Sequence, residues 1–234
     1  MENNYEEHRT RTNRIQKDID TLGSYSSVKT IGCTRYTYTK EFAQARDYIK
    51  REMEQAGLQV REDAVGTVIG RLEGTNPELP IIMTGSHFDT VKTGGRYDGA
   101  AGVVAALEVA RTMHDEGFRP KRSIEFVALP EEEGGRFGSG LMASRAMCGK
   151  LYPDELEHRD ENGVTLAEAM KEYGLDPNAI ETAQRKPEEI GAFLELHIEQ
   201  GPILEKEDVK VGIVESIVGF RCFEVHVHGR SDHA

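Results

Sequence analysis

Histidines and carboxylates gather in three short stretches of this chain. Thr84 to Gly99 reads TGSHFDTVKTGGRYDG and carries His87, Asp89 and Asp98 among four glycines. Glu131, Glu132 and Glu133 follow the apolar run IEFVAL, and His197 follows FLEL with Glu199 and Gln200 behind it. Imidazole nitrogens and carboxylate oxygens form a hard-to-borderline donor set suited to Zn2+, Mn2+, Co2+ or Ni2+. A carboxylate such as Asp98 can bridge two ions about 3.5–4 Å apart, the separation that two-metal hydrolases use. Asp89, two residues from His87, is the natural acceptor for the second N–H of that ring, fixing its tautomer. Among adjacent glutamates, one can bind metal while its neighbour moves protons between water and a leaving nitrogen.

Each stretch alone has a plainer reading. An HxD in a glycine-rich loop is usually a turn, a glutamate run is usually solvated, GGRYDG suits a tight connection, and a histidine at a strand end can be a satisfied core residue. What favours the metal reading is their recurrence at corresponding places, each directly after a buried strand.

The elements that must deliver these groups are legible. TKEFAQARDYIKREMEQAG places Phe42, Ala45, Ile49, Met53 and Ala56 at helical spacing, with Thr39 as N-cap and Gly57 as stop. Residues 4–22 read as a polar helix, LQVRED and TVIGRLEG as short strands, and IIMTG as a strand covered on both faces. DGAAGVVAALEVARTMHDEG predicts a small-residue helix, RSIEFVALP a buried strand, SGLMASRAM a helix, and TLAE a capping box opening another. AFLELHIEQG predicts a last buried strand. Alternating strands and helices imply an α/β fold with a mostly parallel central sheet flanked by helices, and in such sheets ligands gather at the carboxyl ends of the strands. In FRCFEVHVHG, Phe223, Val225 and Val227 alternate with Cys222, Glu224, His226 and His228, the pattern of a strand with one wet face. We therefore expect a metal-binding catalytic domain over 1–210 and the start of a small α+β lid or dimerisation domain over 211–234.

Composition removes other classes. A net charge of −12 argues against nucleic-acid binding. No run approaches the ~20 apolar residues of a membrane span, and the charged N-terminus lacks a signal-peptide core. The three cysteines, Cys33, Cys148 and Cys222, form no CxxC and suit a reducing cytoplasm. GGRFGSG lacks the lysine of a phosphate-binding loop. His8, His114 and His158 sit in polar helical contexts and are expected to be solvated; His226 and His228 share one face and are expected on an exposed lid surface.

Four blocks, GSHFDTVKTGGRYDGAAGV, PEEEGGRFGSGLMASRA, LELHIEQGPILE and SIVGFRCFEVHVHGRSDHA, together resemble the N-carbamoyl-L-amino acid hydrolase and allantoate amidohydrolase group. These are dinuclear metal amidohydrolases within the wider aminoacylase and carboxypeptidase-like family. The resemblance runs the length of the chain. It implies that His87 and His197 bind one metal, that Asp98 bridges, and that Glu133 binds the second. It also implies that Glu132 is the general base, that Asp89 orients His87, that Gln200 contacts substrate, and that His233 is a lid histidine reaching into the neighbouring subunit's site in a homodimer. The three glutamates are divided by this resemblance and not by their spacing. The implied reaction is hydrolysis of a ureido C–N bond through a metal-bridged hydroxide, with release of ammonia.

Members of that group continue past the point where this sequence stops, through the rest of the lid and back to a late histidine for the second metal. The expectation is thus an N-terminal part with an incomplete second site and little turnover. The alternatives are a dipeptidase or deacylase of the same family and a non-catalytic metal-binding remnant.

Overall fold

The computed structural model describes residues 10–29, 31–152, 154–219, 223, 225–230 and 232–233. Helix α1 (Thr12–Ser24) overlaps the polar helix expected over 4–22 and runs two residues past its end; residues 4–9, His8 among them, lie outside the described residues. Helix α2 (Lys40–Gln55) opens on Thr39, whose hydroxyl accepts the Phe42 amide at 3.3 Å, satisfying one donor that the first turn leaves unpaired. Its stripe of Phe42, Ala45, Ile49 and Met53 is buried, as the spacing predicts.

Strands β1 (Gln59–Glu62) and β2 (Val68–Leu72) form an antiparallel hairpin. Strand β3 (Ile81–His87), helix α3 (Ala100–Asp115) and strand β4 (Ile124–Leu129) then make a crossover unit, with β3 parallel to β4. Helices α4 (Met142–Met147) and α5 (Leu166–Tyr173) precede strand β5 (Ile190–Leu194), which lies parallel to β3 on its other side. The sheet order is β1-β2-β4-β3-β5. The fold is α/β as expected, and its sheet is mixed: β4, β3 and β5 are mutually parallel, while β2 meets β4 antiparallel. The 63–67 link is too short for the crossover a parallel pair requires, so β1 and β2 can only run antiparallel.

Alternate residues of β4 supply two cores on opposite faces of the sheet, as a period of two demands. Phe126 and Ala128 join Phe42, Phe88, Val103, Val104 and Leu107 under α2 and α3. Val127 and Leu129 join Met83, Met142, Leu166 and Met170 under α4 and α5. The capping box at α5 is complete: Thr165 Oγ1 accepts the Glu168 amide at 3.1 Å and Glu168 accepts the Thr165 amide at 2.8 Å.

A buried ionic group ties the first three helices. Arg111 on α3 donates to Asp18 on α1 at 2.5 Å and to Glu52 on α2 at 2.6 Å, and the Tyr48 hydroxyl donates to Asp18 at 2.5 Å. A second buried cation, Arg35, is spent on main-chain carbonyls, with Nε to Phe88 O and Nη1 to Leu22 O, both 2.6 Å.

The chain divides into two compact units, 1–198 and 199–234. In the second, Glu199 accepts the amides of Ile203 and Leu204, opening the single turn of α6 (Ile203–Lys206). The strand expected over FRCFEVHVHG is not formed by its described residues, Phe223 and Val225 to His228; Cys222 and Glu224 lie outside them. Alternation predicts a strand only where another strand offers a ladder, and no described residue pairs with this segment. No described helix is long and apolar enough to cross a membrane.

Candidate metal centre

The three parallel strands deliver the three chemical stretches to one end of the sheet. His87 is the last residue of β3 and pairs in register with Leu129, the last of β4. The glutamates begin two residues beyond β4, and His197 stands three beyond β5. Asp98 enters from the turn that opens α3.

Ligating atoms of His87, Asp98 and His197 lie within 4.8 Å of one another. His87 Nε2 is 3.5 Å from His197 Nε2, and Asp98 Oδ1 is 3.7 and 3.2 Å from those two nitrogens. Glu132 Oε2 stands 3.7 Å from His87 Nε2. The other ring nitrogens are already committed. His87 Nδ1 faces the main-chain carbonyl of Asp89 at 3.1 Å, and His197 Nδ1 faces that of Ile198 at 3.0 Å. A carbonyl only accepts, so each Nδ1 carries its proton and each Nε2 is directed at the same point, the state a metal-ligating imidazole adopts.

Glycine makes this approach possible. Gly99 has φ +58°, and a Cβ there would stand 2.4 Å from the His87 ring. The ring lies against bare backbone, a contact no L side chain permits.

Asp89, 1 % exposed, does more than its sequence spacing indicates. Its carboxylate is 3.6 Å from His87 Nδ1, while its two oxygens accept the amides of Glu132 and Glu133, each at 3.1 Å. The side chain thus binds the loop after β3 to the loop after β4. Glu131 is set apart from its neighbours. It is fully buried with φ +50°, its amide donates to Thr37 Oγ1 at 3.1 Å, and its Oε1 accepts the Phe137 amide. Burial, reinforced by the Asp89 charge, pushes its carboxyl up to about 8. Burial also raises Glu132 and Glu133; the nearby His87 opposes this in both, and the Asp89 charge adds to it. For His87 burial works downward, but the Asp89 carboxylate and the charges of Glu132 and Glu133 outweigh it and push the ring up to about 9. An excess of negative charge around paired imidazoles is the electrostatic setting of a cation site.

Of the residues read from sequence, His87, Asp98 and His197 converge, Glu132 stands beside them, and Asp89 lies beneath. Glu133 is held by its amide and is not among the three converging donors. Gln200 and His233 belong to the second unit, where Gln200 has φ +57° and the His233 amide donates to Asp232 at 2.9 Å. Sequence reading missed Ser86 and Glu195, neighbours of the two histidines, which bond to each other at 2.5 Å. It also missed Thr37 and Arg35, whose site-side partners, Glu131 and Phe88, lie more than fifty positions away and leave no local signal.

Fold and donor set define the class: an α/β protein that gathers metal-ligand side chains at the carboxyl ends of its parallel strands. Residues 83–233 match peptidase family M20/M25/M40, and the chain belongs to that family. It is 50% identical over 222 residues to an N-carbamoyl-L-amino-acid amidohydrolase of Paenarthrobacter aurescens, a match covering 94% of this chain and 54% of the relative. Identity to an allantoate amidohydrolase of Bacillus subtilis is 44%, covering 95% and 54%. The crystal structure of a hydantoinase/carbamoylase family amidase from Burkholderia ambifaria superposes with a TM-score of 0.78 at 32% identity, covering 85% of this chain and 48% of that one. The resemblance read from the four motif blocks is thereby confirmed. The chain spans about half the length of the curated relatives it matches.

Proposed function

We propose that the chain is the metal-binding part of an amidohydrolase that cleaves the ureido C–N bond of an N-carbamoyl-L-amino acid or of allantoate. The observation that carries this reading is the pair of Nε2 atoms, 3.5 Å apart beside Asp98, with both Nδ1 atoms spent on carbonyls. The donors fit a divalent ion such as Zn2+ or Mn2+. His87, Asp98 and His197 would hold one ion, and Asp98 with Glu133 would contribute to a second. When bound, such ions supply Lewis acidity and bring the pKa of water into the neutral range.

The remaining steps belong to side chains. Glu132, its carboxyl raised by burial, takes a proton from the attacking water and delivers it to the nitrogen as the C–N bond breaks, so that ammonia departs. Asp89 holds the Glu132 and Glu133 main chain and, through its carbonyl, the His87 ring. On the resemblance alone, Gln200 and His233 serve the substrate, and the complete protein is a cytoplasmic homodimer.

Metal content of the purified, buffer-exchanged chain tests the reading, with His87→Ala and Glu133→Ala as controls. Bound Zn2+ or Mn2+ that is lost in His87→Ala is expected; a chain that retains neither ion would sink the proposal. Two ions falling in both variants would place Glu133 at a second ion. The family description also includes peptidases, so ammonia release from ureido substrates should be run beside dipeptide and N-acyl amino acid cleavage. Turnover of the latter alone would favour a dipeptidase or deacylase.

A further inference from the structure

The ladder between β3 and β5 ends at the pair Thr84 and Leu194. His87 stands three residues beyond that end on one strand, and His197 three beyond it on the other. Main-chain pairing therefore does not set the distance between the two rings.

Two contacts lie in that gap. The Ser86 hydroxyl, fully buried, donates to Glu195 Oε1 at 2.5 Å. Gly102, in the first turn of α3, sits so close to both segments that a Cβ there would be 2.3 Å from the Leu196 carbonyl and 2.7 Å from Ser86 Cβ. The three segments that meet here each carry one donor: Ser86 precedes His87, Leu196 precedes His197, and Gly102 lies one helical turn beyond Asp98.

We infer that the junction of Ser86, Gly102 and Glu195 is a positioning device that sets the spacing of the metal donors, with the Ser86–Glu195 hydrogen bond holding His197 against His87. Neither Ser86 nor Glu195 is a ligand in this arrangement; Ser86 acts through His87 beside it, and Glu195 through His197 two residues on. The inference rests on the metal reading given above.

Titration of Co2+ into the metal-free chain, followed by calorimetry and by its visible absorption bands, tests it. Supporting residues of this kind change metal affinity by about 10–100-fold, so Ser86→Ala and Glu195→Ala should each weaken Co2+ at least tenfold and alter the spectrum. Glu195→Gln, whose amide oxygen still accepts from Ser86, should bind within about threefold of the parent chain, since one acceptor replaces another. Adding His197→Ala to Glu195→Ala should cost little further, because the ring is already released, a coupling that independent sites would not show. Gly102→Ala should act like Glu195→Ala. Glu195 is exposed, so the Glu195 variants keep the test available if Gly102→Ala does not fold. Glu195→Ala and Ser86→Ala chains that bind Co2+ as the parent does, or a Glu195→Gln chain as weak as Glu195→Ala, would overturn the inference while leaving the metal reading standing. A parent chain that takes up no Co2+ would overturn both.

Discussion

Gly99 shows how narrow the tolerances are at the scale of single residues. Its left-handed φ and the His87 ring 2.4 Å from a Cβ position impose two separate costs on any substitution. Gly99→Ala is expected to lose about 1–2 kcal/mol of stability from the backbone alone. It should also weaken metal binding more than that loss explains, because the ring must swing away. Urea unfolding and a metal titration on the same sample separate the two effects. His87, Asp98 and His197 were legible because each follows or precedes a recognisable apolar element. The separation of Glu131 from Glu132 and Glu133 was not, since three identical side chains in a row differ only in what the fold packs against them. Burial, the Thr37 hydroxyl and the Phe137 amide make Glu131 the internal member.

Two predictions belong to the elements. Helix α1 docks through Asp18, which is 1 % exposed, and the Arg111 guanidinium is its partner. Arg111→Met should cost about 3–5 kcal/mol, because it leaves Asp18 and Glu52 buried without the guanidinium that binds both. Chemical denaturation measures this, and a loss under 1 kcal/mol would show the network to be dispensable. The second concerns the connection between α4 and α5. Glu155 is raised by burial, but the Arg145 guanidinium, the Ser139 hydroxyl and the Tyr152 amide together hold it below the usual glutamate range. A depressed folded-state value contributes stability that is present above the unfolded value, about 4.3, and is lost as pH falls through the folded one. Glu155→Gln should therefore melt below the parent at pH 7, with the gap closing below about pH 4, near the unfolded-state value. An unchanged gap across that range would assign the effect to packing. The α2 stripe and the α5 capping box were readable because both are local patterns. The Arg111 network was not, as its members lie 30 to 93 positions apart.

For the whole molecule, the sheet ends on β5, an edge strand among the described residues. Phe193, Leu194 and Leu196 there are 45%, 57% and 52% exposed. An apolar open edge is a template for pairing with another chain. Light scattering should show concentration-dependent association of this chain, and Phe193→Lys should reduce it; equal scattering from both would assign association to another surface. The apolar run predicts β5 as a buried strand; the strand forms, but it is exposed, because composition cannot say how many neighbours a strand has. The same limit explains FRCFEVHVHG, whose described residues, Phe223 and Val225 to Gly229, pair with no strand among the described residues.

Arg35 carries one more consequence. Its guanidinium joins the carbonyl of Leu22, at the end of the first helix, to the carbonyl of Phe88, the residue after His87. Trimming the chain to begin after Tyr25 would strip a buried cation of two of its acceptors, the carbonyls of Leu22 and Tyr25, directly beneath the proposed ligand. The opening helix is therefore chassis and not ornament. Anyone shortening this protein to a minimal metal-binding unit will have to keep it, or replace Arg35 with an apolar side chain in the same step.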